Sequence, residues 1–178
     1  MNLSALKSPP FRSYVVSLHL ALNGFWAQRV IIGWLAWEMT GSAGFVGLVA
    51  FLNFFPTLFV SPLFGVFADR IDVRKGSILS YALAGILSAL FAGLCIFGSS
   101  TPVLLALFSF VTGVISSANH PMRMSLTPRL APADDLPSVV AITSLNFNMS
   151  RLTGPAIGGI LIQTIGAPLA FAVTAVTY

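Results

Sequence analysis

A bundle of membrane-spanning α-helices is the fold class this sequence predicts, and three observations predict it. Only 8% of its residues are charged, 56% are hydrophobic and the mean hydropathy is +0.90, whereas an ordinary soluble domain carries about 25% charged residues. The apolar runs are continuous for roughly 20 residues, the length a helix needs to cross a hydrocarbon core of about 30 Å; the strands of a membrane barrel would alternate over about 10. The charged residues gather in the short connections between these runs. Helices suit this pattern because their backbone groups are all satisfied within the segment.

Five complete spans are expected near 13–38, 44–67, 77–98, 102–120 and 139–165. Lys7 and Arg12 precede the first, which has no small-residue cleavage site and reads as an uncleaved span. Pro56 and Pro62 fall in the second and Pro155 in the fifth, where kinks are expected. A sixth apolar segment, 168–178, is still running at Tyr178 and is too short to span. The expectation is therefore the N-terminal part of a longer polypeptide. The connection 121–138 is the longest, and Asp134 and Asp135 near its end read as acids stabilised by the dipole of the fifth helix. Cys95, the single cysteine, lies in an apolar run and reads as a packed small thiol.

Lys and Arg set the expected orientation. Lys7 and Arg12, then Arg70, Arg74 and Lys75, then Arg123 and Arg129 lie on one side, and the alternate connections near 39–43, 99–101 and 166–167 have none. This asymmetry puts the N-terminus in the cytoplasm. The net charge of +4 forms no stripe or tail, so it speaks for orientation and against a nucleic-acid partner. No nucleophile–base pairing, phosphate loop or metal-spaced His or Cys cluster is present, so the chain is not expected to be an enzyme or to hold a metal or cofactor.

Gly65-Val66-Phe67-Ala68-Asp69-Arg70-Ile71-Asp72-Val73-Arg74-Lys75 concentrates charge where the second span ends. A carboxylate at the C-terminal end of a helix is disfavoured by the macrodipole, so Asp69 calls for a partner from another segment. The pattern Gly65-x-x-x-Asp69-Arg70-x-x-x-Arg74-Lys75 resembles the signature loop of the major facilitator superfamily. The resemblance implies the N-terminal six-helix half of that fold: five complete transmembrane helices and the start of a sixth, with the C-terminal half absent from these residues. It implies that Gly65 permits close helix contact, that Asp69 engages the opposite half, and that Arg70 and Arg74, with Lys75 beside them, help latch the cytoplasmic side. Asp72 stands where the family usually has glycine, which leaves the geometry of the turn open.

In the fifth span Gly154-Pro155-x-x-Gly158-Gly159 resembles the antiporter motif of the same superfamily, with Ala141 and Ser150 at two upstream glycine positions. Close helix packing and a part in the conformational cycle both fit it. Trp37-Glu38-Met39-Thr40-Gly41-Ser42, Pro121-x-Arg123, Asp135-Leu136-Pro137 and Asn146-Phe147-Asn148-x-x-Arg151-x-x-Gly154-Pro155 look like the branch with enterobactin exporters, macrolide-efflux proteins and lysophospholipid transporters. Two departures matter: Ser109 stands where the fourth span often has an arginine, and Phe25 where relatives commonly have an aspartate.

Polar residues inside spans are functional candidates because of their insertion cost. His19, Asn23, Trp26, Val30, Gly33 and Trp37 share one face of the first span, bordered by Arg29. The face either lines a central cavity, the reading preferred here, or satisfies itself against neighbouring helices. Arg151, with Asn146 and Asn148 nearby, is either a hydrogen-bond hub or a substrate contact, and Asn53 is a further cavity candidate. With no central carboxylate in the five spans, a proton as coupling ion would need His19 or a group beyond Tyr178, or there is none.

The expected function is secondary active transport in the cell membrane, of the bacterial inner-membrane type, exporting a small amphipathic organic solute of drug or siderophore kind by alternating access. The expected partners are that solute and the lipid bilayer. A lysophospholipid flippase of the same superfamily and a non-transporting scaffold or receptor are the alternatives.

Overall fold

A computed structural model describes residues 4–68 and 72–178. The described residues form five long helices: α1 (Pro9–Thr40), α2 (Ala43–Ala68), α3 (Val73–Ile96), α4 (Pro102–Leu126) and α5 (Leu136–Val176). All five are long and apolar enough to cross a membrane. The fifth breaks at Gly166 (φ 80°, ψ 161°) into arms 136–165 and 167–176, and the second arm is the start of a sixth segment. Glycine is required here because an L side chain rarely adopts this φ.

The helices overshoot the apolar runs at several ends. α1 begins at Pro9, α3 at Val73 and α5 at Leu136, while α4 runs through Pro121 to Leu126. Hydropathy reports the stretch that suits hydrocarbon, whereas a helix continues for as long as its backbone bonds and caps hold. Much of the expected connection 121–138 is accordingly ordered as the end of α4, two 3-10 turns (Thr127–Leu130 and Ala133–Asp135) and the start of α5. Asp134 and Asp135 do lie at that start, though Asp135 makes no side-chain cap bond.

The ends are locally encoded. Gly41 (φ 58°) closes α1 by donating its N–H to the Trp37 carbonyl at 2.7 Å, a left-handed cap suited to glycine. Thr101 caps α4, accepting from the Leu104 N–H at 3.3 Å, with Pro102 following at the first position.

Packing pairs α1 with α5 and α2 with α4, and α3 bridges α4 and the second arm of α5. The largest apolar cluster lies at one end of the bundle, where Ile31, Leu35, Val49, Leu105 and Phe108 meet Phe91 and Phe171, and two smaller ones, around Phe11 with Val139 and Val73 with Met122, lie toward the other. Three rings carry it: Phe91 stacks on Phe108 with centroids 4.5 Å apart, and Phe171 meets both edge-on at 5.2 and 5.5 Å. Phe171 is fully buried. Phe171→Ala should therefore cost about 3–5 kcal/mol of stability, seen as a clearly lowered melting temperature of the full-length protein in detergent; an unchanged melting temperature would show that this cluster does not hold the second arm in place.

Candidate functional site

The polar face of α1 divides into two parts. Its N-terminal part is consumed by a seam with α5. His19 Nδ1 lies 2.6 Å from Asn146 Oδ1 and 3.2 Å from Ser150 Oγ, and its Nε2 lies 3.1 Å from Asn23 Nδ2. Thr153 donates to Asn23 Oδ1 at 2.6 Å, and Asn146 Nδ2 donates to the Val15 carbonyl at 3.1 Å. Such polar pairs join membrane helices by about 0.6–2 kcal/mol each. His19, Asn23 and Asn146 thus sit together, but they do not line the cavity onto which Trp26 and Arg29 open.

Small residues allow this seam to close. A Cβ on Gly154 would come 2.9 Å from the Asn23 carbonyl oxygen, and one on Gly158 would come 2.8 Å from the Ala27 carbonyl oxygen and 3.0 Å from its Cα. Gly159 faces open space. The motif's glycines therefore have different surroundings: Gly154 and Gly158 admit the α1 backbone, and Gly159 does not. Pro155 lies between them within a continuous helix. Gly113 plays the matching part on α4, where a Cβ would meet the backbone of Asn53, 3.1 Å from its Cα.

The second part of the α1 face opens onto a cavity of about 210 Å³, to which all five helices contribute. Arg29 occupies its wall. The guanidinium lies 4.7, 4.8 and 5.2 Å from the rings of Phe25, Phe54 and Trp26, and Nη2 donates to Asn53 Oδ1 at 2.9 Å. Asn53 is held in turn by α4, donating to the Ser109 carbonyl and to Thr112 Oγ1, each at 3.1 Å. The relay explains how a short side chain on α2 presents its oxygen to α1. Ser109, at the family's arginine position, is fully buried and bonded to its own helix through Leu105.

Arg123 lies 5.3 Å from the Phe147 ring and 3.3 Å from His120 Nδ1, and it also lines the cavity. Phe147 meets Trp26 edge-on at 5.9 Å, and Arg151 lies 5.7 Å from Trp26 on the other side. Arg151 and Asn148 are exposed on the bundle surface, and Asn148 bonds only to its own helix at Ser144. The expected cluster of Arg151 with Asn146 and Asn148 is thus spread over different faces of α5. Sequence reasoning read Arg123 as a connection residue and overlooked Asn119, His120, Tyr81 and Tyr178, which line the cavity too. The signal was present: Ser116, Asn119, His120 and Arg123 follow the three-and-four spacing of one helical face, once Pro121 is allowed inside the helix.

In the loop motif Gly65 lies in the last turn of α2, and Asp69 and Arg70 lie outside the described residues. Asp72, the residue at the family's glycine position, is the N-cap of α3. It is extended (φ −67°, ψ 101°) and caps α3, accepting from the Arg74 and Lys75 N–H groups at 3.0 and 3.2 Å. Its carboxylate offsets the two cations at a helix N-terminus, where the dipole disfavours them; Lys75 Nζ is 3.9 Å away. Arg74 and Lys75 are exposed. Among the described residues no group of three or more His, Cys, Asp and Glu could hold a metal ion.

This architecture is that of a multi-span helical membrane protein, and comparison with known proteins identifies its family. Residues 1–178 match the model of the transmembrane secretion effector family; the chain belongs to this family of the major facilitator superfamily. It is 26% identical over 165 residues to the staphyloferrin A transporter of Staphylococcus aureus, covering 91% of this chain and 41% of the relative. It is 27% identical over 180 residues to the multidrug efflux pump Tap of Mycobacterium tuberculosis, covering 97% and 42%. With the enterobactin exporter EntS of Shigella boydii it shares 31% identity over 173 residues, covering 93% and 40%. The chain spans about two fifths of the length of these relatives. No solved structure matches it significantly. It is a multi-pass membrane protein of a transporter family, and not an enzyme.

The seam yields a contrast within one motif. Gly158→Leu must push α5 off the Ala27 backbone, at about 1–3 kcal/mol or more for overpacking, and should abolish turnover of the full-length protein. Gly159→Leu should leave transport and the size-exclusion profile unchanged. Equal behaviour of the two variants would show that the α1–α5 approach seen here is not the working geometry.

Proposed function

We propose that the complete protein is a secondary active transporter that exports a small amphipathic organic solute of siderophore or drug type by alternating access. One observation carries this reading: Arg151, Asn148 and the half-buried Arg29 and Trp26 face outward in the middle of long apolar helices. An arginine facing hydrocarbon at the bilayer centre costs about 2.5–3.5 kcal/mol even on insertion scales. That face therefore belongs against water or protein, which is the demand a central translocation cavity between two halves would meet. The names of the relatives, which export enterobactin or pump drugs, support the export direction.

In this reading a C-terminal half of the same protein packs against the face bearing Arg29 and Arg151, and Asp69 with Arg70 and Arg74 latches the side where α2 ends and α3 begins. The Lys and Arg distribution supports placing that side and the N-terminus in the cytoplasm. The antiporter-like glycines would then tie α1 to α5 so that the two move as one body. A proton is the proposed coupling ion. Its site would be His19, whose ring nitrogens both engage the α1–α5 seam, or a group beyond Tyr178.

Transport of siderophore-like and drug-like compounds into inside-out vesicles, with and without a proton gradient, tests the function directly. Accumulation that depends on the protein and collapses with the gradient is the expected result; gradient-independent accumulation would remove proton coupling. Asp69→Asn should lower that accumulation at least tenfold, and a variant with normal rates would remove the latch role. Topology is testable separately. In a Cys95→Ser background, cysteines at the exposed positions Lys75 and Ser99 should be labelled by an impermeant reagent from outside the cell only at residue 99; labelling at 75 would reverse the orientation.

A further inference from the structure

The cavity is cationic, and among the described residues no carboxylate lines it. Arg29 and Arg123 line it, and the described carboxylates, Glu38, Asp72, Asp134 and Asp135, do not. Among the described residues the ion pair found is Lys75–Asp72, so neither arginine is neutralised there. Three buried polar atoms of its walls, Arg29 Nε, Trp26 Nε1 and Asn119 Oδ1, have no hydrogen-bond partner. Two of the three are donors, and Arg29 spends Nη2 on Asn53 while its Nε remains free. Buried donors left open are costly, and a built cavity that leaves them open is shaped for something that accepts.

The aromatic surroundings define the rest of the ligand. Arg29 is framed by Phe25, Trp26 and Phe54, and Arg123 sits over Phe147. Arg29 and Arg151 both lie near the Trp26 ring, and Trp26 meets edge-on the Phe147 ring beside Arg123. A planar guanidinium matches a carboxylate in a fork and keeps its charge throughout, which an ammonium does not do as well. The rings would receive the apolar or aromatic body of the same solute. A cationic drug, by contrast, would meet the like charges of Arg29 and Arg123.

The geometry points to an anionic cargo: this cavity binds an amphipathic organic anion, with Arg29 and the Trp26 N–H on its carboxylate or equivalent acidic oxygens and the aromatic rings on its body. The inference names the substrate class within the transport reading above and rests on it for the cargo's onward movement, but binding can be measured without transport. The test uses purified full-length protein in detergent and three probes sharing one ring system: 2-naphthoate, 2-naphthamide and 2-naphthylmethylammonium. Equilibrium binding should rank the anion at least tenfold tighter than the amide and the cation weakest. Arg29→Gln should lower naphthoate affinity at least tenfold while changing naphthamide affinity less than twofold, and Arg29→Lys should recover part of the loss. Arg123→Gln, in a different helix, provides a second charge removal should Arg29→Gln fail to give monodisperse protein, and it should also weaken the anion selectively.

Equal affinities for the three probes, preference for the cation, no binding of any probe, or a parallel loss of naphthoate and naphthamide in the glutamine variants would each overturn the assignment. Selective naphthoate binding without accumulation in vesicles would leave the anion site standing and count against the transport reading instead. Accumulation of cationic compounds alone would do the reverse.

Discussion

Polar groups that enter hydrocarbon must be answered inside the bundle, and the rest of this structure follows from how α1 meets that demand. His19 and Asn23 are answered by Asn146, Ser150 and Thr153 of α5. Hydrogen bonds of that length require the two backbones to lie close, and Gly154 and Gly158 supply the room where a Cβ would collide with residues 23–27. Sequence features that look like separate signals, a polar stripe on one helix and a glycine pattern on another, are therefore two sides of one contact. The same pairing recurs between α2 and α4, with Gly113 against the Asn53 backbone and Thr57 bonded to Ser117 at 3.0 Å.

With α1 fixed on α5 and α2 on α4, α3 and the second arm of α5 decide where the bundle is closed and where it is open. The Phe91–Phe108–Phe171 cluster fills one end. Next to it lies a buried chain of hydrogen bonds, Tyr178 to Gln28 at 2.7 Å and Gln28 to Ser88 at 2.6 Å, joining three segments. Beyond that chain lies the cavity, and past it, toward the ends bearing Pro9, Val73 and Leu126, two smaller apolar clusters close the packing again: Phe11 with Val139 and Ile142, and Val73 with Ala118 and Met122. The unmet polar atoms thus lie between packed regions of the bundle.

Much of this was legible in the sequence, and the limits have physical causes. Long apolar runs announced the helices, and the Gly65-to-Lys75 loop and the Gly154-to-Gly159 run pointed to the family now shown. Hydropathy could not show that α4 continues through Pro121, because a proline is tolerated where its neighbours satisfy the freed carbonyl; Arg123 and Asn119 went unrecognised for that reason. Nor could the period of α1 say where its polar face changes neighbours. His19, Asn23 and Trp26 share one stripe bordered by Arg29, yet the first two turn to α5, while Trp26 and Arg29 turn to the cavity. Only the packing of α5 across the stripe separates them. Asp72 shows the opposite case, a departure from the family pattern with a local use, since its side chain caps α3.

The other two departures change the charge of the site rather than its shape. Where the resemblance implies an aspartate in the first span, Phe25 lies against Arg29 and offers a ring face in place of a carboxylate. Where it implies an arginine in the fourth span, Ser109 is buried and lends its carbonyl to Asn53. The positive charge on the cavity wall accordingly comes from Arg29 of α1 and Arg123 of α4, and among the described residues no carboxylate lines it. A ring attracts a guanidinium weakly, by about 0.5–2 kcal/mol, and leaves its charge intact for a third group. One fold can host many functions, and substitutions of this kind alter the charge and hydrogen-bonding groups of the cavity wall without changing which helices form it.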